Sequence, residues 1–202
     1  MAEDQYNTIS VSTTGNYKDK GSKFFSFAYP VTSESEIKNI LKELRKKYYD
    51  ARHFCFAYRL GADKSIYRDS DDGEPANSAG KPIMRQIQSK NLTDILIVVI
   101  RYFGGTLLGI SGLIKAYGSA AYDALNNSEI VTKTVYNTIK INVPYTYNNI
   151  VQKIIKEEKL KIINQSFEQI CSFIINIKQS DTQRIIDRFK HIENVECKTL
   201  NN

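Results

Sequence analysis

Four carboxylates fall within six positions, Asp69, Asp71, Asp72 and Glu74, with Gly73 among them and Pro75 closing the run. Carboxylate oxygens are the ligands that hard cations take. The calcium-loop spacing fails, however, because Gly73 follows Asp72 directly and no Glu closes a twelve-residue loop. The default reading is therefore a solvated turn that caps the next helix, with no metal and no cofactor expected. A second glycine turn, Arg101, Tyr102, Phe103, Gly104 and Gly105, comes where an apolar run ends. Glycine admits positive φ and close backbone approach, so with Gly80 and Gly112 such turns can gather main-chain N–H groups at helix starts, as anion sites require. Arg52, Lys81, Arg85, Arg101 and Lys115 could contact phosphates while Tyr102, Phe103 and Tyr117 offer faces for stacking. The alternative pairs Arg101 with Asp71 or Glu74 as an internal ion pair, and the sequence leaves both readings open.

Covalent chemistry has few candidates. Ser111 lies between Gly109 and Gly112, one residue short of a nucleophile elbow, and Leu113 stands where the second glycine belongs. Only two histidines, His53 and His191, are present to act as general bases. Cys55 follows His53 by two residues, which puts both side chains on one face of a regular strand. That pair could be a reactive thiol site or a thiol buried between Phe54 and Phe56. No Walker loop or dinucleotide fingerprint occurs, so neither ATP nor NAD is indicated.

The positioning elements follow from periodicity. Ile95 to Ile100 is an unbroken apolar run, the pattern of a strand buried on both faces. From Gly112 the residues Leu113, Ala116, Tyr117, Ala120, Ala121, Ala124 and Leu125 recur at helical offsets. Strands are expected over Asn7 to Ser12, Lys23 to Val31 and His53 to Leu60, and a helix after Ser33, with Glu36 completing a capping box. Pro82 suits the first turn of a short helix running to about Ser89. From Tyr136 onward the order is strand, helix, strand, strand, helix, strand, which predicts a ferredoxin-like βαββαβ domain. The expectation is an α+β protein with domains at 1–134 and 135–202. Few residues of the second domain look chemical, so it reads as a platform.

The chain has 202 residues, of which 42% are hydrophobic, and a formal charge of +6. Residues 1–134 carry 18 Lys and Arg against 15 Asp and Glu, a mild excess that favours acidic partners without singling out nucleic acid. No apolar run approaches the roughly 20 residues of a membrane span, so no membrane partner is expected. Glu3 and Asp4 stand where a signal peptide would be basic. Three widely spaced cysteines, Cys55, Cys171 and Cys197, fit neither a disulfide framework nor a zinc site, and a cytoplasmic protein is expected.

Several separated motifs resemble those of the YigZ/IMPACT family: Asp71 to Pro75, Ala79 to Pro82, Arg101 to Gly105 and Gly112 to Tyr117. Lys20 to Phe24, Ala51 to His53 and Ala57 to Gly61 also fit, so the resemblance spans about residues 6–134. It implies a first domain related to the second domain of ribosomal small-subunit protein five and to domain IV of elongation factor G. The tail is similar to that factor's fifth domain. Eukaryotic relatives act in translational control, which implies a translation-linked role and RNA, the ribosome or a translation-related protein as partner. The groove between the two turns would be the binding surface, and an enzyme acting on a small phosphorylated or peptide-like substrate is the rival. Two departures stand out. Ala76, Asn77 and Ser78 replace a usual Ser-Gly-Thr, although Asn tolerates positive φ, and Ile110 and Ser111 replace a common Thr-Gly.

Overall fold

The computed structural model describes residues 4–200. The start of the chain, on which the signal-peptide expectation partly rests, extends outside them. Contacts divide the chain into two compact units, one of Tyr6–Lys133 and one of residues 134–200 with Asp4 and Gln5.

In the first unit a five-stranded antiparallel sheet has the order β2-β3-β6-β4-β5, formed by β2 (Thr13–Asp19), β3 (Ser22–Pro30), β4 (His53–Leu60), β5 (Ile66–Ser70) and β6 (Ile95–Tyr102). The central strand β6 is buried on both faces. Ile95, Ile97 and Val99 join the core under α2 (Gly80–Ser89) and α3 (Gly109–Asn126), and Leu96, Val98 and Ile100 join the core under α1 (Glu34–Lys47). Continuous apolar runs are commonest in parallel sheets. Here helices cover both faces of an antiparallel one and impose the same composition.

Ser33 caps α1 by accepting the Glu36 N–H at 3.3 Å, and Glu36 reaches back to the Thr32 N–H at 2.8 Å. The strand expected at Asn7 to Ser12 is displaced. β1 (Gln5–Ile9) pairs with β7 (Ile130–Thr134) in a separate two-stranded sheet, and β2, for which no strand was expected, is an edge strand. Its polar residues and Gly15 hid it. A Cβ on Gly15 would stand 2.3 Å from the Ala124 backbone nitrogen, so the glycine that weakens the strand pattern is what lets β2 lie against α3.

The second unit runs β8 (Tyr136–Pro144), α4 (Asn148–Glu157), β9 (Lys161–Ser166), β10 (Ile170–Lys178), α5 (Thr182–Lys190) and β11 (Glu196–Leu200), with sheet order β11-β8-β10-β9. The three pairings are antiparallel. Ile139, Ile141, Val143, Cys171, Phe173 and Ile175 alternate into a core closed by Val151, Ile155, Ile185 and Phe189.

Candidate docking cleft

Strand register brings the two turns together. His53 opens β4 opposite Arg101 near the end of β6, and Ser70, at the end of β5, lies opposite Phe56. The acidic turn thus leaves the sheet beside the glycine turn. Arg101 Nη1 donates to Glu74 Oε1 at 2.6 Å, and the Tyr117 hydroxyl donates to the same oxygen at 2.8 Å. The two charged side chains are only 7% and 4% exposed. The internal ion pair is therefore the arrangement adopted, and its acid is Glu74 rather than Asp71. The guanidinium also lies over Phe24 and Phe103, 5.6 and 5.5 Å from the ring centroids. Among the described residues its buried Nε has no partner. Tyr117 is buried as well, so it supports the turns from below and is not a stacking surface.

Asp71 has a different task. Ala79, the capping residue of α2, has no side chain able to accept the free N–H groups. The Asp71 carboxylate accepts them instead, from Asn77 at 2.7 Å, Ala79 at 2.9 Å and Gly80 at 2.8 Å. The anion at this helix start is the protein's own, placed where the helix dipole favours it. Gly80 is required there because a Cβ would stand 2.6 Å from the Ser70 nitrogen. Asp72 accepts from the Phe54 N–H at 2.6 Å and from Arg45 at 2.8 Å. Its carbonyl oxygen, which can only accept, meets His53 Nδ1 at 3.0 Å and so fixes the proton on Nδ1. Positive φ at Asp72, Gly73 and Asn77 shapes the turn. The carbonyl of Pro75, itself exposed, accepts from the Ser78 N–H and hydroxyl at 3.0 and 2.6 Å.

The second turn is pinned by backbone contact. A Cβ on Gly104 would fall 1.9 Å from the Gly21 carbonyl carbon, and Ser22 Oγ accepts the Gly104 N–H at 3.1 Å. Lys20 to Lys23 thus owes its glycine and serine to the partner turn. Beyond it, Gly105 and Gly109 both take positive φ and bracket a loop that holds Leu107 82% exposed, with Phe103 57% exposed just before it. Gly112 lies in the first turn of α3, where a Cβ would meet that of Leu108 at 2.9 Å.

Above the buried pair a cleft of about 530 Å³ remains, lined by residues 50–53 and 101–103 with Leu107. Of the residues singled out from the sequence, Arg52, His53, Arg101, Tyr102 and Phe103 meet here, and the first turn supports them from below. Lys81, Arg85 and Lys115 do not line it but stand exposed on α2 and α3. Asp50 and Leu107 were missed. Asp50 accepts the Tyr102 hydroxyl at 2.7 Å, and that bond, with burial second, pushes the phenol up to about 12. Leu107 carried one available signal, a large apolar residue between glycines and off the helical period. Cys55 is buried, and its thiol donates to the Asp71 carbonyl at 3.0 Å. Burial first, then the charges of Glu74, Asp72 and Asp71, push its pKa up. It is a protonated thiol and a poor nucleophile.

The fold and site define a two-domain α+β protein whose glycine turns build a rigid-floored cleft. The family model described as the Impact N-terminal domain matches residues 20–125, more than half of the chain and all of both turns. The chain belongs to the IMPACT family. The family member YigZ of Escherichia coli is 34% identical over 151 residues, 74% of each chain. YvyE of Bacillus subtilis is 27% identical over 173 residues, 86% of this chain and 80% of that one. A crystal structure described as that of a hypothetical protein superposes with a TM-score of 0.72 at 25% identity over 99% of both chains. Among the described residues, no helix is long and apolar enough to cross a membrane.

Proposed function

We propose that this protein is a non-catalytic regulator linked to translation, and that the cleft above the Arg101–Glu74 pair is where it docks on the ribosome or on a translation-associated protein. The link to translation is what membership of the IMPACT family implies. The observation that carries the docking reading is the exposure of Phe103 and Leu107 at the rim of the cleft. Large apolar side chains held out on a short loop beside a cation, here Arg52, are the anchors that protein and ribonucleoprotein interfaces use. The floor beneath them is fixed by a buried ion pair, so little ordering cost falls on binding. The protonated Cys55 thiol and the helix-capping role of Asp71 favour binding over catalysis. The strand order of the second unit supports reading it as ferredoxin-like, a platform without chemistry of its own.

Sedimentation with purified ribosomes through a sucrose cushion tests this. The intact protein is expected in the pellet, and Phe103→Ala/Leu107→Ala is expected to stay in the supernatant. Equal pelleting of the two proteins removes the cleft from the account. A thermal-shift screen of small phosphorylated compounds and divalent cations checks the enzyme reading, which gains support only if a ligand stabilises the protein and Asp71→Ala abolishes the shift.

A further inference from the structure

The layer formed by α2 and α3 is rich in cations and holds a single acid, Asp123. From Pro75 to Lys90 and from Arg101 to Tyr122 the chain contains no Asp or Glu. Lys81 and Arg85, one turn apart on α2, are exposed, as is Lys115 on α3. Lys90 Nζ stands 5.6 Å from the centroid of the Tyr122 ring. Among the described residues none of these four cations is in an ion pair; the pairs of the first unit are those of Arg45, Lys46 and Arg101. The one acid of α3, Asp123, accepts the Asn16 N–H at 2.8 Å. Across the sheet, α1 mixes Glu34, Glu36 and Glu43 with its cations. The α2–α3 side thus sets four cations against one acid, whereas α1 sets five against three. Along that side runs a groove of about 430 Å³ with Gly118 and Ser119 in it, bordered by Gln86, Ile114, Lys115 and Tyr122.

We propose that this groove, with Lys81, Arg85, Lys90 and Lys115, binds the phosphodiester backbone of a nucleic acid. Unpaired cations, an amide and a hydroxyl donor, and one exposed aromatic face are the set such a backbone needs. A protein partner would require an apolar centre depleted of charge, and only Ile114 and Tyr122 supply apolar surface here. None of these residues lines the docking cleft, so the groove stands or falls apart from it.

Fluorescence anisotropy of the full chain with a labelled single-stranded RNA of about 16 nucleotides, and with the matching DNA, tests the proposal. Four phosphate contacts predict a slope of log affinity against log salt of about −2.8, a loss of about 50-fold between 50 and 200 mM. Lys115→Gln alone is expected to reduce that slope by about 0.7, and Lys81→Gln/Arg85→Gln/Lys115→Gln to leave about −0.7. Binding of either polymer with these slopes supports the groove, and the tighter one identifies the ligand. Lys38→Gln/Lys42→Gln/Lys47→Gln removes the same charge from α1 and is expected to leave the slope unchanged. Phe103→Ala/Leu107→Ala is expected to bind nucleic acid normally. Equal weakening by the α1 set and the groove set reduces the effect to diffuse attraction and overturns the proposal. So does the absence of binding to both polymers, or competition by poly-glutamate as strong as by RNA, which points to an acidic protein instead.

Discussion

Glu74 is the residue on which the two turns depend. It takes two donors on one oxygen, from Arg101 and Tyr117, and is almost wholly buried. Removing its charge leaves the Arg101 guanidinium without an anion in the core, so Glu74→Gln is expected to lower stability by about 3–5 kcal/mol. Glu74→Gln/Arg101→Gln is expected to recover part of that loss, because the stranded charge is gone. Urea unfolding of the three proteins checks both statements. Asp71→Ala removes the acceptor for three backbone N–H groups and is expected to cost about 1–2 kcal/mol, read the same way. The sequence showed that Arg101 had an acid available at Asp71 or Glu74. It could not say which, since both follow from turn geometry set by the positive φ of Asp72 and Gly73. The burial of Cys55 was one of two open readings, and its complete burial, with the thiol donating to the Asp71 carbonyl, decides it. Cys55 is expected to resist a thiol reagent at pH 8 until denaturant opens the fold.

At the scale of elements, the helices α4 and α5 are clasped by one carboxylate. Arg184 donates to both oxygens of Glu158 at 2.9 Å, and Arg188 joins it. Hydrogen bonds from Arg184 and then Arg188 hold the Glu158 carboxyl down at about 2, against an ordinary 4.5. An acid depressed in the folded state adds stability above its unfolded pKa and loses it as pH falls through the folded one. The second unit is therefore expected to weaken between about pH 4.5 and pH 2, and Glu158→Gln to flatten that dependence; thermal melts across the range check it. Element boundaries were legible wherever period and caps agreed, as at Ser33 and His53 to Leu60. They were not legible at β2, whose Gly15 exists for the contact with Ala124. Gly15→Ala is expected to lower the melting temperature, since the added methyl overpacks against backbone.

At the scale of the molecule, the two compact units should behave as separate folding units. A fragment ending after β7 is expected to unfold cooperatively, whereas one ending at Asn126 loses the strand that pairs with β1 and unfolds at lower denaturant. The order of the second unit was readable from its alternation of periods. The cleft was readable only as a set of residues, because His53 and Arg101 are 48 positions apart and meet through strand register. Whether the cleft is the docking surface is read from hydrogen exchange of the free and ribosome-bound protein. Exposed amides at 105–107 are expected to exchange within the shortest labelling time in the free protein. Binding is expected to slow them, together with those at 50–53. Ribosome-bound protein whose 50–53 and 105–107 amides exchange as fast as in the free chain would contradict docking there.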